Sequence, residues 1–159
     1  MVIVRTEIEI AAPITICFDL ARNIDVHTQT VWKHTREKAV AGVVSGEING
    51  GELVTFEATH LLVRQKLTSK ITAFERPYLF VDQMVSGAFK YLKHTHEFES
   101  CEGGTRMIDT LEFAAPLGPL GIIAETLVLR RYMQKFLEHR NTNLKHLAEK
   151  LVLASQQDS

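Results

Sequence analysis

His94 and His96 stand two residues apart in a stretch, Phe89–Cys101, that alternates apolar and polar side chains. Alternation of that kind places residues i and i+2 on one face of a strand. One face carries Leu92, His94, His96 and Phe98; the other carries Lys93, Thr95, Glu97 and Glu99. The next stretch, Thr105–Ala115, groups Met107, Asp109, Leu111 and Phe113 in the same way. Glu102-Gly103-Gly104 between them is a turn signal, and a tight hairpin there lays His96 opposite Asp109 and His94 opposite Leu111. His60 ends a further alternating stretch with Val54, Phe56 and Ala58. A reversal at Leu61-Leu62 brings it beside Val63, in line with Gln65, Leu67 and Ser69. Imidazoles, a carboxylate and an amide therefore share one inward face. Whether Asp82 or Gln83 joins them stays open, because the hairpin at Gly87-Ala88 lies too close to a bulge for strand parity to decide.

Four chemistries suit this set. Buried histidine and aspartate can simply satisfy each other, since either group buried alone costs several kcal/mol. A few polar groups converging in an apolar pocket can orient the polar end of a ligand. His96 can act as an acid–base catalyst with Asp109 fixing its tautomer, because an imidazole titrates near neutral pH. His94 and His96 can converge on a metal ion with His60 as a third ligand. Nothing else in the spacing demands an ion, so neither a metal nor any other cofactor is expected.

The elements that must hold these residues follow from the same patterns. Residues 2–10 alternate, with Val2, Val4, Thr6, Ile8 and Ile10 on one face, and read as a half-buried strand. Pro13 suits a helix start, and Ile14, Cys17, Phe18 and Ala21 recur at helical spacing. A second short helix is expected from about Ile24 to Thr28, capped by Asn23. Strands are then expected over Glu37–Val44, Glu52–His60, Leu62–Phe74, Tyr78–Ser86, Phe89–Cys101 and Thr105–Ala115. Pro116-Leu117-Gly118-Pro119 stops the sheet. From Leu120 to about Ala154 an apolar stripe runs through Leu120, Ile123, Ala124, Leu127, Met133, Phe136, Leu137, Leu144, Leu147, Ala148 and Leu151. That predicts one long helix, bent near Asn141-Thr142-Asn143. The fold class is α+β: a curved antiparallel sheet of about seven strands, two short helices after the first strand, and a long C-terminal helix covering the apolar face. A single domain over residues 1–155 is expected, with 156–159 as a frayed tail.

Phe80-Val81-Asp82-Gln83, Ser86-Gly87-Ala88-Phe89, His94-Thr95-His96-Glu97-Phe98, Asp109 and Pro116-Leu117-Gly118 resemble the motifs of the bacterial SRPBCC group. That group belongs to the START-like, or Bet v 1-like, superfamily, and the order of elements is its helix-grip arrangement. The resemblance runs from Ile3 to about Leu151. Locally the chain departs from the pattern: Gln83 follows Asp82 directly, and Ala88 stands where proline is usual. The superfamily includes lipid carriers, hormone-binding proteins, polyketide cyclases and coenzyme Q-binding proteins, so the fold by itself does not choose a function.

A cavity between sheet and long helix is expected to take an apolar or aromatic small molecule, such as a lipid, a quinone or a polyketide. His60, His94, His96 and Asp109 would orient its polar end. Phe56, Leu111, Phe113, Leu127 and Phe136, with Val54, would form the apolar wall. The two short helices and the Gly46–Gly51 loop would form the entrance. The alternative is an enzyme of the polyketide cyclase or dehydratase kind, with His96 and Asp109 as its acid–base pair. A second alternative is an interaction module with a filled core. Lysine plus arginine (18) against aspartate plus glutamate (19) gives a net charge of −1, which argues against a nucleic-acid partner held by counterion release. No apolar run reaches the roughly 18 residues of a membrane span. The start of the chain carries no signal-peptide pattern, and Cys17 and Cys101 show no metal or redox spacing, so a cytoplasmic protein with free thiols is expected. The oligomeric state is not legible.

Overall fold

Val2, Val4 and Ile10 are buried along β1 (Val2–Ile10) while Ile3, Arg5, Glu7 and Glu9 are exposed, as strand alternation requires. The computed structural model describes residues 1–116 and 118–159, and the side chains of all of these except Ala124 and Glu125. Leu117 of the sheet-stopping motif therefore lies outside the described residues, as does the side chain of the stripe position Ala124. After β1 come α1 (Ile14–Ala21) and α2 (Ile24–Thr30). Asn23 caps α2, its side chain accepting from the Val26 amide at 3.1 Å. A single 3-10 turn, Lys33–Thr35, leads into the remaining strands. These are β2 (Lys38–Gly42), β3 (Leu53–His60), β4 (Val63–Glu75), β5 (Leu79–Ser86), β6 (Tyr91–Cys101) and β7 (Gly104–Ala114). All pair antiparallel in one seven-stranded sheet of order β1-β7-β6-β5-β4-β3-β2.

Two turns set the registers that matter for the site. At the β6–β7 turn, a Cβ on Gly104 would stand 2.0 Å from the Ile10 carbonyl oxygen, so only glycine lets β7 begin against the end of β1. Cys101 then pairs with Gly104, and counting back along the ladder brings His96 opposite Asp109. At the β3–β4 turn, Leu61 and Leu62 both take the left-handed conformation, with φ of 49° and 68°. A two-residue hairpin of this twist needs positive φ at both central positions, and it fixes His60 opposite Val63.

The C-terminal segment is helical from Gly118 to Gln157 but is not one regular helix. It comprises α3 (Gly118–Ala124), a π-helical turn over Glu125–Leu129, and α4 (Arg130–Gln157). The sequence places a bend at Asn141–Asn143; the irregularity lies instead at 125–129, and α4 runs unbroken through those asparagines. It also continues to Gln157, beyond the expected end at Ala154. One extra residue in a π turn rotates everything before it by about 100° relative to the following helix. The apolar stripe therefore loses its phase. Phe136, Leu137, Leu144 and Ala148 are buried, whereas Leu120, Ile123 and Leu127 are exposed. No described helix is long and apolar enough to cross a membrane. Cys17 and Cys101 are free thiols.

Candidate functional site

Asp109 lies at the middle of β7 with no solvent exposure, and four side chains from neighbouring elements converge on it. From β6, His94 Nε2 donates to Asp109 Oδ1 at 2.8 Å. His96 Nδ1 stands 2.8 Å from the same oxygen without the alignment of a hydrogen bond. From α4, Asn141 Nδ2 donates to Asp109 Oδ2 at 2.6 Å, and Arg140 Nη1 lies 3.7 Å from Oδ1. The β5–β6 register then settles the open question of parity. Asp82 pairs opposite His94, and its Oδ2 accepts from His96 Nε2 at 2.9 Å. Asp82, not Gln83, faces inward. The His94 and His96 rings lie 3.7 Å apart, and Phe80 stacks on His96 at 4.1 Å.

Charge in this cluster is set by burial working against close partners. Burial opposes a charge on His96, but the carboxylates of Asp109 and Asp82 outweigh it and raise its pKa. Burial, helped by the neighbouring His96, pushes His94 down against the pull of Asp109 and Asp82. Burial also opposes ionisation of Asp109, yet His94 and His96 hold its carboxyl well below the usual carboxylate range. Asp82 is lowered in the same way, burial being overcome by the His96 hydrogen bond and the charge of its neighbours. Arg140 adds a permanent positive charge to the cluster, 3.7 Å from Asp109 Oδ1.

A pH profile of stability follows. His96 has a raised folded pKa, so its contribution is complete below pH 6.5, the unfolded value, and fades as pH rises through the folded one. Asp82 and Asp109 have lowered values, so theirs is present above about pH 4 and lost as pH falls through their folded pKa values. His94 and His60 are also lowered, so the unfolded chain binds protons below pH 6.5 that these buried rings refuse. In buffer containing EDTA, the urea midpoint is expected to peak near neutrality and fall on both sides. His94→Gln should flatten the slope just below pH 6.5, and His96→Gln the slope above it. A profile flat from pH 5 to 8 in the parent protein would contradict this assignment.

The cluster forms one wall of a cavity of about 160 Å³ between the sheet and α4. A single water needs only about 10–15 Å³, so the interior is far from filled. Of the residues singled out in the sequence for the site, His60, His94, His96, Val54, Phe56, Leu111 and Phe136 line it. Asp109 does not reach the wall; it sits behind the two rings it anchors. Phe113 is fully buried in the core instead, edge-on to Phe89 at 5.6 Å between centroids. Leu127 is 69% exposed, because the π turn swings it off the α4 face.

His60 makes no contact with the Asp109 cluster and belongs to a separate polar group. Its Nδ1 shares a hydrogen bond with the Tyr132 hydroxyl at 2.8 Å, and its Nε2 lies 3.9 Å from Glu37 Oε2. His60 and His94 therefore do not share an ion. The donor atoms that do converge, all within 4.8 Å of one another, belong to Asp82, His94 and His96. Burial holds His60 below its ordinary pKa. Glu37 pairs with His27 at 2.5 Å, and that partner overcomes burial to hold its carboxyl low. Trp32 packs edge-on to Tyr132 and Phe136 of α4 rather than lining the cavity, with centroids at 5.2 and 5.4 Å.

Sequence reasoning missed Arg140, Glu37, Asn141 and Arg22. Arg140 is 2% exposed and lines the cavity, and its buried Nε has no hydrogen-bond partner among the described residues. The signal was available. Arg140 falls on the i+4 row Phe136, Arg140, Leu144, Ala148, and Asn141 falls four residues after Leu137. A cation on an apolar row is the pattern that marks a buried charge. Arg22 ties α1 to the loop after β2. It bonds Asp19 and Glu47, the Ile48 carbonyl and the Asn49 side chain, so the segment expected to form the entrance is fastened down.

Residues 1–149 match the family described as polyketide cyclase / dehydrase and lipid transport. Solved structures share the fold over nearly their whole length. A START superfamily protein from Mycobacterium smegmatis is 12% identical with a TM-score of 0.71, covering 94% of this chain and 98% of that one. TTHA0849 from Thermus thermophilus is 19% identical with a TM-score of 0.68, covering 91% and 95%. CV1439 from Chromobacterium violaceum is 9% identical with a TM-score of 0.69, covering 92% and 96%. None of the curated proteins matches the sequence. At these identities the structural likeness speaks to fold alone, while the family match spans 1–149 of the 159 residues. On that match, and with a START-like helix-grip architecture, the chain belongs to the polyketide cyclase / dehydrase and lipid transport family.

Proposed function

We propose that this protein binds an apolar or aromatic small molecule with a polar, oxygen-bearing end, of lipid, quinone or polyketide type, in the cavity between sheet and α4. One observation carries the reading: a largely apolar cavity with a buried guanidinium on its wall whose Nε–H has no partner among the described residues. A buried donor left unpaired costs about 1–3 kcal/mol, more when charged, and an acidic or carbonyl oxygen of a ligand would remove that cost. Val54, Phe56, Leu111 and Phe136 supply the apolar wall; His60 and His94, with Arg140, supply the polar contacts, and His96 lines the wall with both ring nitrogens turned to Asp82 and Asp109. Asp109 acts through the rings it holds. Two free thiols fit a reducing compartment such as the cytoplasm.

The probe is 8-anilinonaphthalene-1-sulfonate, an aromatic anion that fluoresces when buried. Saturable binding of one molecule per chain is expected. Ala58→Trp, which fills the cavity from β3, should weaken it at least tenfold. Arg140→Met should weaken it too, and native mass spectrometry of protein from its own host should reveal a co-purifying small molecule. Non-saturable fluorescence together with a clean unliganded mass would remove this reading and favour an interaction module. The cyclase or dehydratase alternative uses His96 as the proton carrier and Asp109 as its orienting partner. His96 faces Asp82 with one ring nitrogen and Asp109 with the other, which leaves neither free for a substrate and favours binding over catalysis. His96→Gln separates the two: a binder retains only weak binding of its ligand, whereas a catalyst retains binding and loses turnover by about 10²-fold or more.

A further inference from the structure

We propose that Asp82, His94 and His96 form a binding site for one divalent transition-metal ion on the cavity wall. The strands supply the arrangement. His94 and His96 are i and i+2 on the inner face of β6, and Asp82 of β5 is the register partner of His94. His96 Nε2 lies 2.9 Å and His94 Nδ1 3.9 Å from the same oxygen, Asp82 Oδ2. Neighbouring donors on an ion with bonds of about 2.0–2.2 Å stand about 3–3.5 Å apart, so shifts of under an ångström complete the set. Two imidazoles and one carboxylate suit zinc, iron, cobalt or nickel rather than calcium or magnesium.

Asp109 is what distinguishes this trio from an ordinary ion pair. It takes the Nε2–H of His94, which leaves the lone pair of the neutral ring on Nδ1, turned toward Asp82. Two acceptors, Nδ1 and Oδ2, then face each other across 3.9 Å, and an ion between them satisfies both. The same Asp109 oxygen lies 2.8 Å from the far nitrogen of His96, so on ion binding that ring keeps its proton on Nδ1, toward Asp109, and releases the Nε2 proton to solvent. A carboxylate behind each ligating ring is the usual outer support of a histidine metal site. Asp109 is itself held by Asn141, which also reaches Thr6 of β1 at 3.2 Å. Asp82 and His94 line the cavity, so the remaining coordination positions open into it. The assignment does not depend on which molecule the cavity takes.

The test is titration of the EDTA-treated full chain with Co²⁺, followed by visible absorption, and with Zn²⁺, followed by calorimetry. One ion per chain with micromolar or tighter affinity is expected. Asp82→Asn and His94→Gln should each weaken it by at least a hundredfold. Asp109→Asn, a change in the support and not in the ligands, should weaken it about 10–100-fold with the stoichiometry unchanged. His139→Gln and His146→Gln, away from the trio, should leave it intact. Should any ligand variant fold poorly, imidazole nitrogen shifts of the parent protein decide: Zn²⁺ should perturb Nδ1 of His94 and Nε2 of His96. No stoichiometric uptake by the parent, unchanged affinity in a folded His94→Gln, or ring shifts at other histidines would overturn the proposal.

Discussion

Asp109→Ala is expected to destabilise the protein by about 3–5 kcal/mol, read from urea unfolding at neutral pH. The residue is fully buried and joins three elements: β7 carries it, β6 brings His94 and His96, and α4 brings Asn141 and Arg140. Its removal leaves Arg140, itself 2% exposed, without its carboxylate partner, and takes the acceptor from His94 and from Asn141, which keeps only its bond to Thr6. Breaking a buried pair from one side is costly because the other charge stays behind. Asp109→Asn separates charge from shape. It preserves volume and an oxygen for His94, but it cannot balance His96 or Arg140. Its loss should be smaller than that of alanine and should shrink as pH rises and His96 gives up its proton. A loss below about 1 kcal/mol for Asp109→Ala would mean that the cluster is not what ties α4 to the sheet.

Phe18→Ala is expected to cost a similar amount, about 3–5 kcal/mol, for an unrelated reason. Phe18 has no exposure, and its ring meets Phe74, Phe80 and Phe98 edge-on, with centroids 5.5, 5.4 and 5.3 Å away. Such pairs add about 0.5–1.5 kcal/mol each beyond the area they bury, although three around one ring are not additive. The ring also pins α1, whose last turn ends in Ala21 and Arg22 at the cavity. Phe80 couples the two regions, since it packs on Phe18 and stacks on His96. The variant should therefore lose anilinonaphthalene sulfonate affinity as well as stability. Phe18→Leu keeps most of the volume but loses the edge-to-face contacts, so it should fall between. Full stability in the alanine variant would show that α1 is held from elsewhere, for instance by Arg22.

Local pattern alone determined much of this molecule. A period of two in β1, β3, β6 and β7 fixed which side chains face inward. Short turns at Leu61-Leu62 and Glu102-Gly103 then fixed which residues lie opposite one another, because a tight hairpin leaves one register. The His96–Asp109 pairing and the inward His60 follow from those two facts. Asp82 could not be read this way. The β4–β5 ladder shifts register at two points, and β5 and β6 are joined through an irregular stretch, so parity does not carry across.

Tertiary structure decided the rest. The partners of Asp109 come from β6 and α4, far apart in the chain, and no local pattern specifies that His94 rather than His96 makes the aligned bond to it. Arg140 sits on an apolar row that the sequence displays, but its burial depends on α4 lying across the sheet beside Asp109. Leu127 belongs to an apolar row that the sequence also displays, yet it is exposed because a π turn over residues 125–129 rotates it away. Hydrophobic periodicity reports which face of an element is apolar; where that face points, and which charges it meets there, depends on packing between elements distant in sequence.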